Sequence, residues 1–218
     1  MSHHWWVISI LSFILQYLIL IVASVVHFCS SLSYSQVATY FADNAKLHRL
    51  RKAEVGLIIG IYSGFISLFS AIFGIYLKKI GTKFVLISGL IVAGTSSCLF
   101  GLLDSIVESG IYLICGVVLR AMEGIGCAGY LISGSCLLIE TWSGSRLSMS
   151  LGIYEMSSAL GFTFGPIIGA LLYQVGGFSV PFFAVGAVLI IIAFVAFFII
   201  ENDSEREIIS PYEIIIIS

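Results

Sequence analysis

Three ionisable residues are notable for where they sit. Arg120, Glu123 and Glu155 lie inside long apolar runs. A charge at membrane depth costs about 2.5–3.5 kcal/mol on insertion scales, so it persists where it has a partner or a task. Arg120 and Glu123 are three residues apart, which is about 60° around a helix axis, so they share a face and can pair. Two readings stand. In one, the pair is a structural ion pair that lowers the cost of insertion. In the other, the face lines a water-filled path, and Glu123 or Glu155 exchanges a proton there. Glu140 closes its apolar run and reads as interfacial.

Other chemistry finds little footing. Cys29, Cys98, Cys115, Cys127 and Cys136 all sit in or beside apolar runs without a CxxC pair, and they read as small packing residues. His3 and His4 stand at the N-terminus, and His27 and His48 stand alone. No metal-ligand cluster, cofactor motif or catalytic Ser-His-Asp or Cys-His set can be assembled, so neither a metal, a cofactor nor an enzyme activity is expected.

The elements that must position these groups follow from composition. The chain has 218 residues, 59% of them hydrophobic and 10% charged, with mean hydropathy +1.11. A soluble domain carries about 25% charged residues, so the lipid bilayer is the natural solvent. A net charge of −2 gives no pointer to nucleic acid. A spanning helix needs about 20 mostly apolar residues, and six such runs are present. They are Val7 to Tyr34, Val55 to Leu77, Phe84 to Leu103, Gly110 to Leu138, Leu147 to Tyr173 and Val180 to Ile200. Arg120 and Glu123 fall in the fourth, Glu155 in the fifth. Only Gln16 and His27 interrupt the first as strongly polar residues.

The first run has no Lys or Arg ahead of it and exceeds an h-region of about 7–15 residues, so it reads as a retained helix with Trp5 and Trp6 as interfacial anchors. The expected organisation is a six-helix transmembrane bundle over 1–200 and a short tail over 201–218. Connections are short except the one after the first helix, FADNAKLHRLRKAE, which carries Lys46, Arg49, Arg51 and Lys52. Lys78 to Lys83 form a tight basic turn. With the N-terminus cytoplasmic, that side holds Lys78, Lys79, Lys83, Arg146 and Arg206, against four positive residues opposite, so the positive-inside rule barely decides.

The fifth run has its own pattern. Gly161, Gly165 and Gly169 repeat every four residues and form a flat strip for close helix approach. Pro166 lacks a backbone donor, so the Phe162 carbonyl loses its helical partner and the helix can bend. Gly152 faces the other way, and Glu155 lies about 60° from it. One face packs and bends; the other can carry the acid.

These residues support a resemblance. Gly152, Gly161, Gly165-Pro166 and Gly169 look like the antiporter motif of the major facilitator superfamily, which belongs on the fifth helix; Ala170 stands where a second glycine is usual. Arg120-Ala-Met-Glu-Gly124-Ile-Gly126 on the fourth resembles the family's Arg-x-x-x-Gly-x-Gly motif, whose arginine is implied in proton coupling. Gly74-Ile-Tyr-Leu-Lys-Lys-Ile-Gly81-Thr-Lys83 resembles the loop between the second and third helices, with Lys78 replacing its aspartate and Thr82 one basic residue. That loop is cytoplasmic in the family, which implies cytoplasmic termini. IGTKFVLISG, CLFGLLDSI and LLYQVGGFSVPFFAVGAVL look like the vesicular amine transporter branch, nearest its polyamine-type members, and the resemblance covers most of residues 34 to 200. It implies exchange of protons for small organic cations across a vesicular or plasma membrane. The chain departs in its first helix, which has no acid to receive an amine, and at Asp43-Asn44, where a basic run follows instead of an acidic segment.

The family has twelve helices in two six-helix halves, each a 3+3 inverted repeat, and alternating access rocks one half against the other. The fold expected is all-α, six transmembrane helices forming one half of this architecture. Three accounts of the other half stand: a truncated gene model or splice product, assembly with a second six-helix chain, or a non-transporting subunit that modulates a full-length relative.

Overall fold

A computed structural model describes residues 2–200. The stretch 201–218, expected as a cytoplasmic tail, lies outside the described residues, as do the side chains of Trp5 and Trp6. Regular structure among the described residues is helical: α1 (Ser2–Gln36), a π-turn (Val37–Phe41), α2 (Ala42–Leu47), α3 (Lys52–Ile80), α4 (Thr82–Gly101), a 3-10 turn (Leu102–Ser105), α5 (Ser109–Thr141), α6 (Gly144–Gly176) and α7 (Ser179–Ile199). Six helices are long and apolar enough to cross a membrane: α1, α3, α4, α5, α6 and α7. They are the six apolar runs in order.

The first connection is more structured than its polar sequence suggests. The long segment after the first span is mostly helical: α2 fills 42–47 and α3 starts at Lys52. Burial explains this. Phe41 and Ala45 are fully enclosed and Leu50 nearly so, in an apolar cluster with Phe100, Leu103, Tyr112 and Phe178. Asn44 fixes the segment further. Its amide donates to Asp104 at 2.6 Å and its carbonyl oxygen accepts from the Tyr112 hydroxyl at 2.8 Å. His48 stacks on Tyr112 with centroids 4.2 Å apart, and Ser109 donates to the His48 carbonyl at 2.8 Å. The segment thereby docks on the 3-10 turn and the start of α5. α3 then begins with Glu54 at the third helical position, whose carboxylate accepts the Arg51 backbone N–H at 2.8 Å, satisfying a donor that a helix start leaves free.

The α3–α4 connection is a single residue, Gly81, at φ 103°. A side chain there is strained, so this glycine carries the turn. α4 is the most enclosed helix and α3 the least. α4 packs between α5 and α7, α3 packs on α5, and α1 packs on α6. The exterior is apolar: Leu68, Ile75, Phe194 and Phe198 stand exposed. Such a surface is suited to hydrocarbon rather than water.

Candidate functional site

The buried charge pair is built by α5 acting as a wedge. Gly124 and Gly126 are two residues apart and so face roughly opposite ways. A Cβ on Gly124 would lie 2.7 Å from the Tyr62 carbonyl oxygen of α3; one on Gly126 would lie 2.6 Å from the Gly89 carbonyl oxygen of α4. The two glycines therefore let both neighbouring backbones come into contact with α5. One turn earlier, this closeness surrounds Arg120 with rings. Its guanidinium lies 4.0 Å from the Phe100 centroid, 5.7 Å from Tyr62 and 5.9 Å from Phe182. Cation–π attraction of this kind is strongest where water is excluded, and Arg120 is 1% exposed.

Arg120 Nη1 meets Glu123 Oε2 at 3.0 Å, and Ser33 of α1 donates to Glu123 Oε1 at 3.0 Å. The Arg120–Glu123 contact is a charge contact without hydrogen-bond alignment, because Oε2 has no aligned donor. Arg120 Nε and Nη2 have no hydrogen-bond partner either, nor do both amide atoms of Gln36. Gln36 is fully buried. Buried polar atoms without partners are uncommon in native folds, and this group gathers several of them.

A second polar seam joins α1 and α6. His27 Nδ1 lies 3.2 Å from the Tyr154 carbonyl oxygen, the Ser31 and Ser158 hydroxyls are 2.7 Å apart, and Ser35 donates to the Phe162 carbonyl at 3.1 Å. Each rung joins residues 127 apart in sequence, so the helices run parallel in constant register. The last rung reaches the carbonyl that Pro166 leaves unpaired. The glycine strip makes the approach possible. A Cβ on Gly165 would lie 2.8 Å from Ser35 Cβ, and one on Gly161 would meet the Phe28 carbonyl oxygen. Gly169 is buried on the same helix.

The structure thus brings Arg120 and Glu123 together and leaves Glu155 apart. Glu155 is exposed on α6, and its charge reaches the His27 ring. By the α1–α6 register it stands five residues before Ser33, about 7.5 Å along the axis. Gly152 and Gly74 have open space around them. Lys83 Nζ sits 5.0 Å from the Phe197 ring of α7. Gln36, Ser33, Tyr62 and Phe100 are site residues that sequence reasoning missed. Ser30, Ser33 and Gln36 repeat every three residues along the end of the first helix, and that polar stripe was the available sign.

Comparison with known proteins identifies the family. The family model for the Major Facilitator Superfamily matches residues 5–213. The MFS-type transporter SLC18B1 of Homo sapiens is 30% identical over 187 residues, covering 86% of this chain and 41% of that protein. Its counterpart in Rattus norvegicus is 31% identical, covering 81% and 38%. The uncharacterized MFS-type transporter MJ1560 of Methanocaldococcus jannaschii is 23% identical, covering 80% and 44%. The chain therefore spans less than half the length of the relatives it matches. With six apolar helices, a buried Arg120–Glu123 pair on the fourth of them and a family match along nearly its whole length, this multi-pass membrane protein belongs to the major facilitator superfamily.

Proposed function

We infer that this chain forms one half of a proton-coupled antiporter that exchanges protons for small organic cations, amines or polyamines. The observation that carries the reading is the enclosed Arg120–Glu123 pair, held by Ser33 and three aromatic rings. A carboxylate paired with an arginine and cut off from water can release its partner on accepting a proton, which gives the charge change that coupling needs. Glu155, exposed beside His27 on the same bundle, supplies a second acid able to exchange a proton or to receive a cation. The working assembly includes a second six-helix half, on the same chain or on a partner, facing this one across the substrate path. The membrane is a vesicle or plasma membrane with both termini of this half cytoplasmic, a reading supported by the resemblance of the Gly74–Lys83 loop to the family's cytoplasmic loop.

The test is uptake of a labelled diamine into proteoliposomes containing the chain with the remaining half of a full-length relative. Uptake driven by an imposed pH gradient and lost in Glu123→Gln is expected. Uptake indifferent to the gradient would defeat the coupling.

A further inference from the structure

The α1–α5 seam has a register that can be followed one step past its last bond. Ser30 Oγ meets Cys127 Sγ at 3.1 Å, and Ser33 meets Glu123 at 3.0 Å. Moving three residues forward on α1 moves four back on α5, so the helices are antiparallel. The same step from Ser33 and Glu123 reaches Gln36 on α1 and Leu119 on α5, so Gln36 falls within about one residue of the level of Arg120. Gln36 is fully buried with neither amide atom hydrogen-bonded, and Arg120 has Nε and Nη2 without acceptors. An amide oxygen lacking a donor and a guanidinium with two nitrogens lacking acceptors thus lie at nearly the same level of one dry seam. Immediately after Gln36 the helix widens into the π-turn Val37–Phe41, a local irregularity of the kind found at functional positions.

We propose that Gln36 is the alternative partner of Arg120 when Glu123 is protonated. The inference rests on the reading of Glu123 as the proton site. A proton from water adds to Glu123 Oε2, the oxygen without an aligned donor, and the carboxylate becomes a neutral acid. Arg120 keeps its charge and loses its counter-ion. An uncompensated buried cation is strongly unfavourable. Gln36 Oε1 accepts from Arg120 Nε or Nη2, while the Phe100, Tyr62 and Phe182 rings continue to face the cation. Gln36 is then a positioning residue that lowers the cost of the protonated state. The other titratable groups that feel the Glu123 charge are Tyr62 from α3, Cys98 from α4 and Cys127 from α5 itself, each held in its neutral form; α1 contributes Ser33, which does not titrate.

Infrared pH titration of the detergent-solubilised chain tests this without requiring transport. The protonated carboxyl stretch of Glu123 is identified as the band lost in Glu123→Gln, and its midpoint is compared in Gln36→Met and Gln36→Leu, each checked for folding by size exclusion. Both replacements remove the amide acceptor and keep an apolar side chain of similar length. Both midpoints are expected to fall by about one pH unit, since one unit marks a tenfold weaker preference for the protonated form. An unchanged or raised midpoint in the folded variants would overturn the role of Gln36 alone. If no band in the native chain depends on Glu123, the proton reading of Glu123 fails as well, and the two failures are told apart.

Discussion

The Ser35 hydroxyl donates at 3.1 Å to the carbonyl oxygen of Phe162, the group whose helical donor is absent because residue 166 is proline. In water such a carbonyl would find solvent. In hydrocarbon it needs a protein partner, and α1 supplies one from the neighbouring helix. Ser35→Ala is expected to cost about 1–2 kcal/mol, the scale of an interhelical hydrogen bond in model membrane helices. In a Pro166→Ala background the same change costs close to nothing, because residue 166 then donates to Phe162 itself. Thermal unfolding of the four variants in detergent gives the coupling. Additive losses would show that the hydroxyl does not stand in for the missing N–H.

The glycines of α5 and α6 separate by what surrounds them. Gly126→Ala places a methyl group 2.6 Å from a backbone oxygen of α4, and overpacking against backbone is expected to cost about 1–3 kcal/mol. Gly152→Ala meets nothing within 4 Å and gains about 0.5–1 kcal/mol from helix propensity. Melting temperatures should therefore move in opposite directions for two glycines of similar motif standing.

The charge pair responds to single and double replacement differently. Arg120→Met leaves Glu123 buried with only Ser33, and the expected loss is about 3–5 kcal/mol. Adding Glu123→Leu removes the stranded acid, so the double variant is more stable than Arg120→Met alone. Denaturant unfolding in mixed micelles reads this order directly. Equal stability of the single and double variants would contradict an enclosed pair.

The docked segment after α1 depends on Asn44. Asn44→Leu leaves the Asp104 carboxylate and the Tyr112 hydroxyl without that partner, a loss of about 1–3 kcal/mol. The effect is local, because the segment packs in the cluster around Phe41 and Tyr112. Hydrogen exchange should accelerate at residues 41–50 and remain unchanged in α6.

The six spans were legible because an apolar run of about 20 residues matches the thickness of the bilayer core and exceeds what a buried helix of a soluble domain usually shows. The Arg120–Glu123 pairing was legible because helical geometry fixes neighbours three apart. The segment after α1 was not, since its polar residues resemble a solvated loop until Phe41 and Asn44 are seen to face α5. Gln36 was missed for a related reason. It lies past the apolar run that ends at Tyr34, and serines at 30 and 33 weigh little on a hydropathy scale although they mark the face that meets α5. Separation of Glu155 from the pair depends on how α6 lies against α1, and no spacing within one helix contains that information.

The α1–α6 seam has a further consequence, for which length changes the two helices can accept. Its rungs at His27, Ser31 and Ser35 meet Tyr154, Ser158 and Phe162 at one constant offset. Inserting or deleting one residue turns everything beyond it by about 100° and shifts it about 1.5 Å. A single such event between 27 and 35, or between 154 and 162, would break every rung past it at once and drive side chains into the glycine strip. Residues 48–51, outside helical structure, can take the same change without disturbing the seam. Length variation in related chains should accordingly fall there and be absent from the paired stretches.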